Sequence, residues 1–222
     1  GIDGCGKTTQ LKALADWLPL SGLMPAGAQL ITTREPGGTA LGQALRQLLL
    51  HPPDEQAPAT RAELLLYAAD RAQHVQTRLE PALAAGDWVL SDRYCGSTAA
   101  YQGYGRGLDL ELITQLEQLA TAGLQPDLCL WLELPPDVAA ERRSGQQQDR
   151  IEAEGLAFLA RVHQGFAELS QRPGWRRVDA SASPEQVHQQ VRFRIFGDIT
   201  TLPQPTHPPN EDEACDIDLP LR

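Results

Sequence analysis

The sequence predicts an α/β fold of three layers, α/β/α, in which helices cover both faces of a parallel sheet. Helical and strand-like segments alternate along most of the chain. The opening stretch, GIDGCGKTTQ, has the form G-x-x-x-x-G-K-[ST] and runs into a helical pattern. The length of 222 residues suits one domain with one sizeable core.

The elements follow in order. In KTTQLKALADWL, Leu11, Leu14, Trp17 and Leu18 recur at helical spacing. AQLITT reads as a short strand ending at Thr33, before the turn-forming REPGG. A helix at 40–50 and a long one over TRAELLLYAADRAQHVQTRLEPALAAG lead to the strand DWVLS, which stops at Asp92. The helix DLELITQLEQLATAG precedes DLCLWLEL, an apolar, β-rich run suited to a buried strand. Helices at 136–143 and 152–171, the strand WRRVDA and a helix from Pro184 to Phe196 complete the body. The remainder, 198–222, carries five prolines and five acids between 201 and 222, and is expected to be a disordered tail because it has too little apolar surface to offset its ordering.

Apolar residues make up 41% of the chain and charged residues 22%, with a formal net charge of −10. A general nucleic-acid or membrane-surface binder would carry a basic run, and none is present, so no nucleic acid or membrane is expected as a partner. Cys5, Cys95, Cys129 and Cys215 are widely spaced with no C-x-x-C pairing, which predicts reduced thiols and a cytoplasmic protein. The five histidines are scattered without metal-ligand spacing.

Gly1, Gly6, Lys7 and Thr8 supply what a phosphate-binding loop needs. The glycines let backbone N–H groups turn inward around phosphate oxygens, the lysine reaches the β/γ-phosphates, and the threonine hydroxyl binds Mg²⁺. Such a loop is shared by kinases, GTPases and motor ATPases, so the acceptor side must decide among them. TREPGGT, SDRYCGSTAAYQGYGRG and RRSGQQQDRIE each fall after an expected strand, where a doubly wound sheet holds its ligands, and each brings arginine. Arg34 and Arg93 could fork onto a phosphate. Asp92, at a strand end, could hold Mg²⁺ directly or through water, or orient an arginine.

These stretches together resemble the thymidylate kinase family. GIDGCGKTTQ, TREPGGT, LLLYAADRAQH, SDRYCGSTAAYQG and DRIE stand in that family's order and spacing over residues 1 to 196. The resemblance implies a P-loop nucleoside monophosphate kinase domain at 1–197 with a lid at about 141–151. It also implies transfer of the γ-phosphoryl of ATP to dTMP with Mg²⁺, in service of dTTP supply, by a homodimer. Asp3, Gly4, Cys5, Gly6, Lys7, Thr8 and Thr9 would line the ATP phosphates with Gly1, and Thr8 and Asp92 would hold the metal. Tyr67 would stack on thymine, Arg71, one turn on, would donate to the base carbonyl, and Thr98 would bond the thymine edge. Tyr101 would crowd the sugar 2′ position, Asp3 would accept from the 3′-hydroxyl, and Arg34 and Arg93 would hold the dTMP phosphate. Ser97 and Gln102 would complete the pocket.

In this family an arginine covers the moving phosphoryl from either the loop or the lid. The loop position here is Cys5, so the lid must supply it, from Arg142, Arg143 or Arg150, with Arg143 and Arg150 favoured. Arg150 could instead cap the next helix. The lid has Gly145 and glutamines where relatives usually carry a further arginine. The family's sheet has five parallel strands in the order 2-3-1-4-5, and the strand that should precede the loop is missing from this chain, which is therefore expected to be a truncated form of a longer protein. Two other readings compete: a nucleotide-binding regulatory module, opposed by Lys7, Thr8, Asp92 and Arg93, and a kinase for another monophosphate, opposed by Tyr67, Arg71 and Thr98.

Overall fold

Strands and helices alternate as expected in the computed structural model, which describes residues 1–53, 56–145 and 149–199. The chain begins with the loop and α1 (Lys7–Trp17), then β1 (Leu30–Arg34), α2 (Ala40–Leu50), α3 (Thr60–His74) and, after one π-helical turn, α4 (Glu80–Ala84). β2 (Trp88–Asp92) is followed by α5 (Cys95–Thr98), which passes into a π-helical stretch over Ala99–Gly105. Next come α6 (Leu110–Thr121), β3 (Cys129–Glu133), α7 (Pro136–Arg142), α8 (Leu156–Leu169), β4 (Trp175–Asp179) and α9 (Pro184–Ile199).

Local chemistry sets several boundaries. The Thr39 side chain accepts from the Gly42 amide to start α2, and Asp109 does the same for α6 through the Glu111 amide. The helix expected over 60–86 is interrupted by the π turn at Val75–Leu79. Pro81, just beyond it, has no N–H to offer the carbonyl four residues back, so the α pattern gives way in the preceding turn. The helix expected at 152–171 starts at Leu156, because Gly155 sits in a left-handed conformation (φ 87°) that separates it from a short 3₁₀ turn. α9 continues through Asp198 and Ile199, two residues past the expected end of the domain. Lid residues 146–148 and tail residues 200–222 lie outside the described residues.

Among the described residues the strands form two parallel pairs. β1 lies beside β2 with Leu30 opposite Trp88 and Arg34 opposite Asp92, and β3 lies beside β4 with Cys129 opposite Trp175 and Glu133 opposite Asp179. Gly1–Asp3 run between the pairs. The Gly1 carbonyl faces Arg93 beyond β2, and a Cβ on Gly1 would meet the Leu132 carbonyl of β3 at 2.2 Å. Successive strand residues point to opposite faces, yet Trp131 and Leu132 are both buried, so this pair is covered on both sides.

The core joins the two pairs. Leu14 of α1 and Leu18 just past its end share a cluster with Val187, Val191 and Ile195 of α9. Phe158, Val162, Phe166 and Leu169 of α8 belong to the same cluster, where Phe166 stacks on Trp131 and meets Tyr101 edge-on. α8 and the π-helical stretch approach closely through glycines: a Cβ at Gly105 would lie 2.7 Å from Phe158, and one at Gly165 would lie 2.7 Å from the Tyr104 ring and 2.9 Å from its Cβ.

Gly165→Ala tests this contact. Better helix propensity favours the variant by about 1 kcal/mol, but overpacking against an atom next to the Tyr104 backbone costs about 1–3 kcal/mol. A lower midpoint in urea denaturation is expected, and an unchanged or raised one would show that the two elements separate freely.

Candidate active site

The loop builds a cradle from backbone alone. Gly4 and Gly6 adopt φ of 89° and 90°, a left-handed geometry open to glycine without penalty. Gly6 is the N-cap of α1 and no side chain caps the helix, so its first amides remain available to an anion. The loop is roofed by α7: a Cβ at Gly4 would meet the Ala139 carbonyl at 2.8 Å and the Arg143 stem at 3.2 Å. Cys5 is buried in the core, while Thr8 and Thr9 are exposed at the start of α1.

Asp3 lies at the centre of the polar contacts. Its carboxylate accepts from Lys7 Nζ at 2.9 Å and from Arg93 Nη2 at 2.8 and 2.9 Å, and Lys7 also donates to the Ile2 carbonyl. Burial works to raise the Asp3 pKa, but the Arg93 and Lys7 charges outweigh it and hold the carboxyl far below the usual range. Arg93 follows β2 directly with φ 77°, a conformation costly for a side chain of its size, and its guanidinium lies over the Tyr101 ring. Asp92, one residue earlier, has Oδ1 buried with no hydrogen-bond partner.

A cleft of about 550 Å³ opens beside Asp3. Asp3, Arg93, Ser97, Tyr101, Tyr67 and Arg71 form one part of its wall, and Thr98, Gln102, Arg46 and Glu35 also contribute. Burial pushes the Tyr67 phenol up to about 12, so it is neutral at physiological pH. Beneath the cleft, Arg71 is buried and donates to Glu35 at 2.8 Å, to the Thr98 hydroxyl at 2.9 Å and to Glu117. The other Glu35 oxygen meets His74 Nδ1 at 2.8 Å, and the second ring nitrogen, Nε2, meets the Thr33 hydroxyl at 2.7 Å.

The structure thus gathers Asp3, Tyr67, Arg71, Arg93, Ser97, Thr98, Tyr101 and Gln102 at one cleft, with the loop forming one edge. Arg34, at the end of β1, is exposed and is not among the residues that line the cleft, although its Nε lies near Gly37, the same residue that Arg46 approaches. Arg46 of α2 stands in the wall instead, donating to the Pro36 carbonyl at 3.1 Å, its pKa lowered by burial and by the charges of Arg34 and Arg93. Sequence reasoning missed Arg46; its helical position seven residues after Thr39, within reach of the REPGG turn, was the available signal. The arginines of the expected lid diverge. The Arg143 stem lies over Gly4, Arg142 donates to the Ala180 and Ser181 carbonyls at 2.9 and 3.0 Å, and Arg150 donates to Glu63 at 2.5 Å and to the Leu49 carbonyl in the last turn of α2 at 2.9 Å.

Among the described residues no cluster of three or more His, Cys, Asp or Glu could hold a metal by itself, and no helix is long and apolar enough to cross a membrane. Mg²⁺ needs no such cluster, since it is usually held by one or two protein oxygens and the phosphates of its nucleotide. The unpartnered Asp92 oxygen and the Thr8 hydroxyl at the loop suit that donor set.

Comparison with known proteins gives a consistent picture. A family model described as thymidylate kinase matches residues 1–191. The chain is similar to the thymidylate kinase of Synechococcus sp. (strain RCC307), 94% identical over 195 residues that cover 88% of this chain and 92% of that one. It is also similar to that of Synechococcus sp. (strain WH7803), 65% identical over 197 residues (89% and 92%), and to that of Prochlorococcus marinus (strain MIT 9313), 64% over 195 residues (88% and 90%).

Asp3→Asn should destabilise the protein by about 1–3 kcal/mol, the scale for leaving charged partners short of an acceptor. Because the folded Asp3 pKa is depressed, its contribution is complete above the unfolded-state value and declines as pH falls through the carboxylate range. Wild-type denaturation midpoints should therefore fall more steeply with acid than those of the variant; parallel pH profiles would exclude this contribution.

Proposed function

The chain belongs to the thymidylate kinase family and is an ATP-dependent kinase that phosphorylates dTMP to dTDP, and on that premise we propose how its residues divide the work. The carrying observation is that Asp3, a residue of the phosphate loop, also lines the cleft that contains Tyr67, Arg71 and Arg93. Donor loop and acceptor pocket share a wall, as direct transfer between two bound nucleotides requires.

In this reading the cleft takes dTMP. Tyr67 stacks on thymine, Arg71 donates to its carbonyl, and Thr98, whose oxygen already accepts from Arg71, keeps its O–H for the base edge. Gln102 and Ser97 complete the walls, Tyr101 crowds the 2′ position, and Asp3 accepts from the 3′-hydroxyl. Arg93 binds the monophosphate with Arg46, which takes the place expected for Arg34. On the donor side, Gly1, Gly4, Cys5, Gly6 and Thr9 present backbone to ATP, and Lys7 leaves Asp3 for the β/γ-phosphates. Thr8 and Asp92 hold Mg²⁺, which when bound neutralises charge on the phosphates. Arg143, already above the loop, is better placed than Arg150 to cover the moving phosphoryl. The acceptor is itself an anion, so no general base is needed and alignment with charge stabilisation suffices.

Three wider points belong to the same proposal. The pairs β1–β2 and β3–β4 fit the outer members of a five-strand order 2-3-1-4-5, with Gly1–Asp3 at the central position. A homodimer is supported by α2, α3 and α6, which pack side by side and expose Leu41, Leu48, Leu65, Leu112 and Leu119. A cytoplasmic setting in dTTP supply agrees with the free thiols of Cys5, Cys95 and Cys129.

A coupled ADP-release assay with ATP and Mg²⁺ should give turnover with dTMP above dUMP by about 10-fold or more, the discrimination available from one methyl group, and far above dCMP or dGMP. Equal rates across the bases would remove the assigned roles of Tyr67, Arg71 and Thr98. Joint substitution Leu65→Glu and Leu119→Glu should convert a dimer to a monomer in sedimentation, and an unshifted dimer would exclude this face.

A further inference from the structure

Glu63, in the first turn of α3, is buried to 1% exposure, yet it is bonded to several elements at once. Oε1 accepts from Gln102 Nε2 at 2.8 Å and from Arg106 Nε at 3.3 Å; Oε2 accepts from Arg106 Nη2 at 3.2 Å and from Arg150 Nη2 at 2.5 Å. Burial alone would raise its pKa, but the hydrogen bonds from Gln102, Arg150 and Arg106 outweigh that and keep the carboxyl below its ordinary range.

Two of the three donors, Gln102 and Arg150, lead toward the cleft, while Arg106 also reaches Glu154. Gln102 is a wall residue of the π-helical stretch, and Tyr67, one helical turn after Glu63, is another. Arg150 stands between Asp149 and Ile151, both of which line the cleft. It is fixed a second time to the end of α2, where its Nε donates to the Leu49 carbonyl at 2.9 Å and its amide approaches the Leu50 carbonyl at 3.4 Å. Leu50 is again a lining residue, whereas Glu63 itself is not.

We propose that Glu63 is a positioning residue for the acceptor pocket, tying the segment Asp149–Ile151 to the wall formed by Tyr67 and Gln102 so that these parts hold one shape. The proposal rests on the reading of this cleft as the dTMP site. It also gives Arg150 a role through Glu63, separate from the phosphates.

The test compares wild-type protein with Glu63→Gln, which keeps the size of the side chain and weakens its hold on both arginines. The readouts are KM for dTMP, affinity for an ATP analogue, unfolding midpoint, and hydrogen exchange of 149–151 with and without saturating dTMP. The expected variant is folded, binds the ATP analogue within about twofold of wild type, shows a KM for dTMP raised by up to about 100-fold, and loses the dTMP-dependent protection of 149–151. If Glu63→Gln does not fold, Arg150→Gln should raise KM for dTMP in the same way. Unchanged KM and protection in the variant that folds would overturn the proposal and leave Glu63 a brace of the fold. Lack of dTMP turnover or protection in the wild-type protein would instead overturn the pocket reading, and this proposal with it.

Discussion

The shared carboxylate of Asp3 is the contact on which the active site depends. It belongs to the loop by sequence, to β2 through Arg93, and to the cleft by position. Two cations converge on it, so each is held at the loop edge of the cleft without being committed to solvent. Arg93 adopts a left-handed backbone conformation, a cost of about 1–3 kcal/mol that surrounding contacts must offset. The Tyr101 ring and the Asp3 oxygens supply those contacts, which links strain at the end of β2 to the geometry of the loop.

Beneath the cleft, charge is buried in a layer with partners on several sides. Glu35 comes from the turn after β1, Arg71 and His74 from α3, and Glu117 from α6. Taking such groups out of water costs several kcal/mol per ion, which a single ion pair does not recover dependably. Here Glu35 meets both Arg71 and His74, and Arg71 meets Glu35, Glu117 and Thr98, so the network is closed except at one Glu117 oxygen. Such a layer contributes less to bulk stability than to fixing which residues can face the cleft.

Much of this was legible in the sequence. Alternating periodicities located the strands to within a residue or two, since β1 ends at Arg34 where the strand signal stopped at Thr33. The loop could be read because its glycines and lysine have jobs that few other residues can do. The segment 95–105 could not: its glycines argue for a loop, and only packing against α8 makes it helical. Arg46 and Glu63 were missed for a related reason, since each resembles an ordinary charge on a helix until its neighbours from other elements are known. Arg34 differs in the opposite sense, since a strand-end arginine beside a motif carries no record of whether its side chain lines the cleft, and here it is exposed.

The π-helical stretch Ala99–Gly105 makes chain length part of the specification of the site. Ala100, Tyr101, Gln102 and Gly103 are buried in succession because the stretch is enclosed on more than one side, with α6 against Gly103 and α8 against Gly105. Removing one residue here would turn the side chains before the deletion by one helical step, roughly 100°, relative to those after it, even with every other side chain retained. In evolutionary terms, substitutions in this segment are filtered by chemistry, while insertions and deletions are filtered by phase as well.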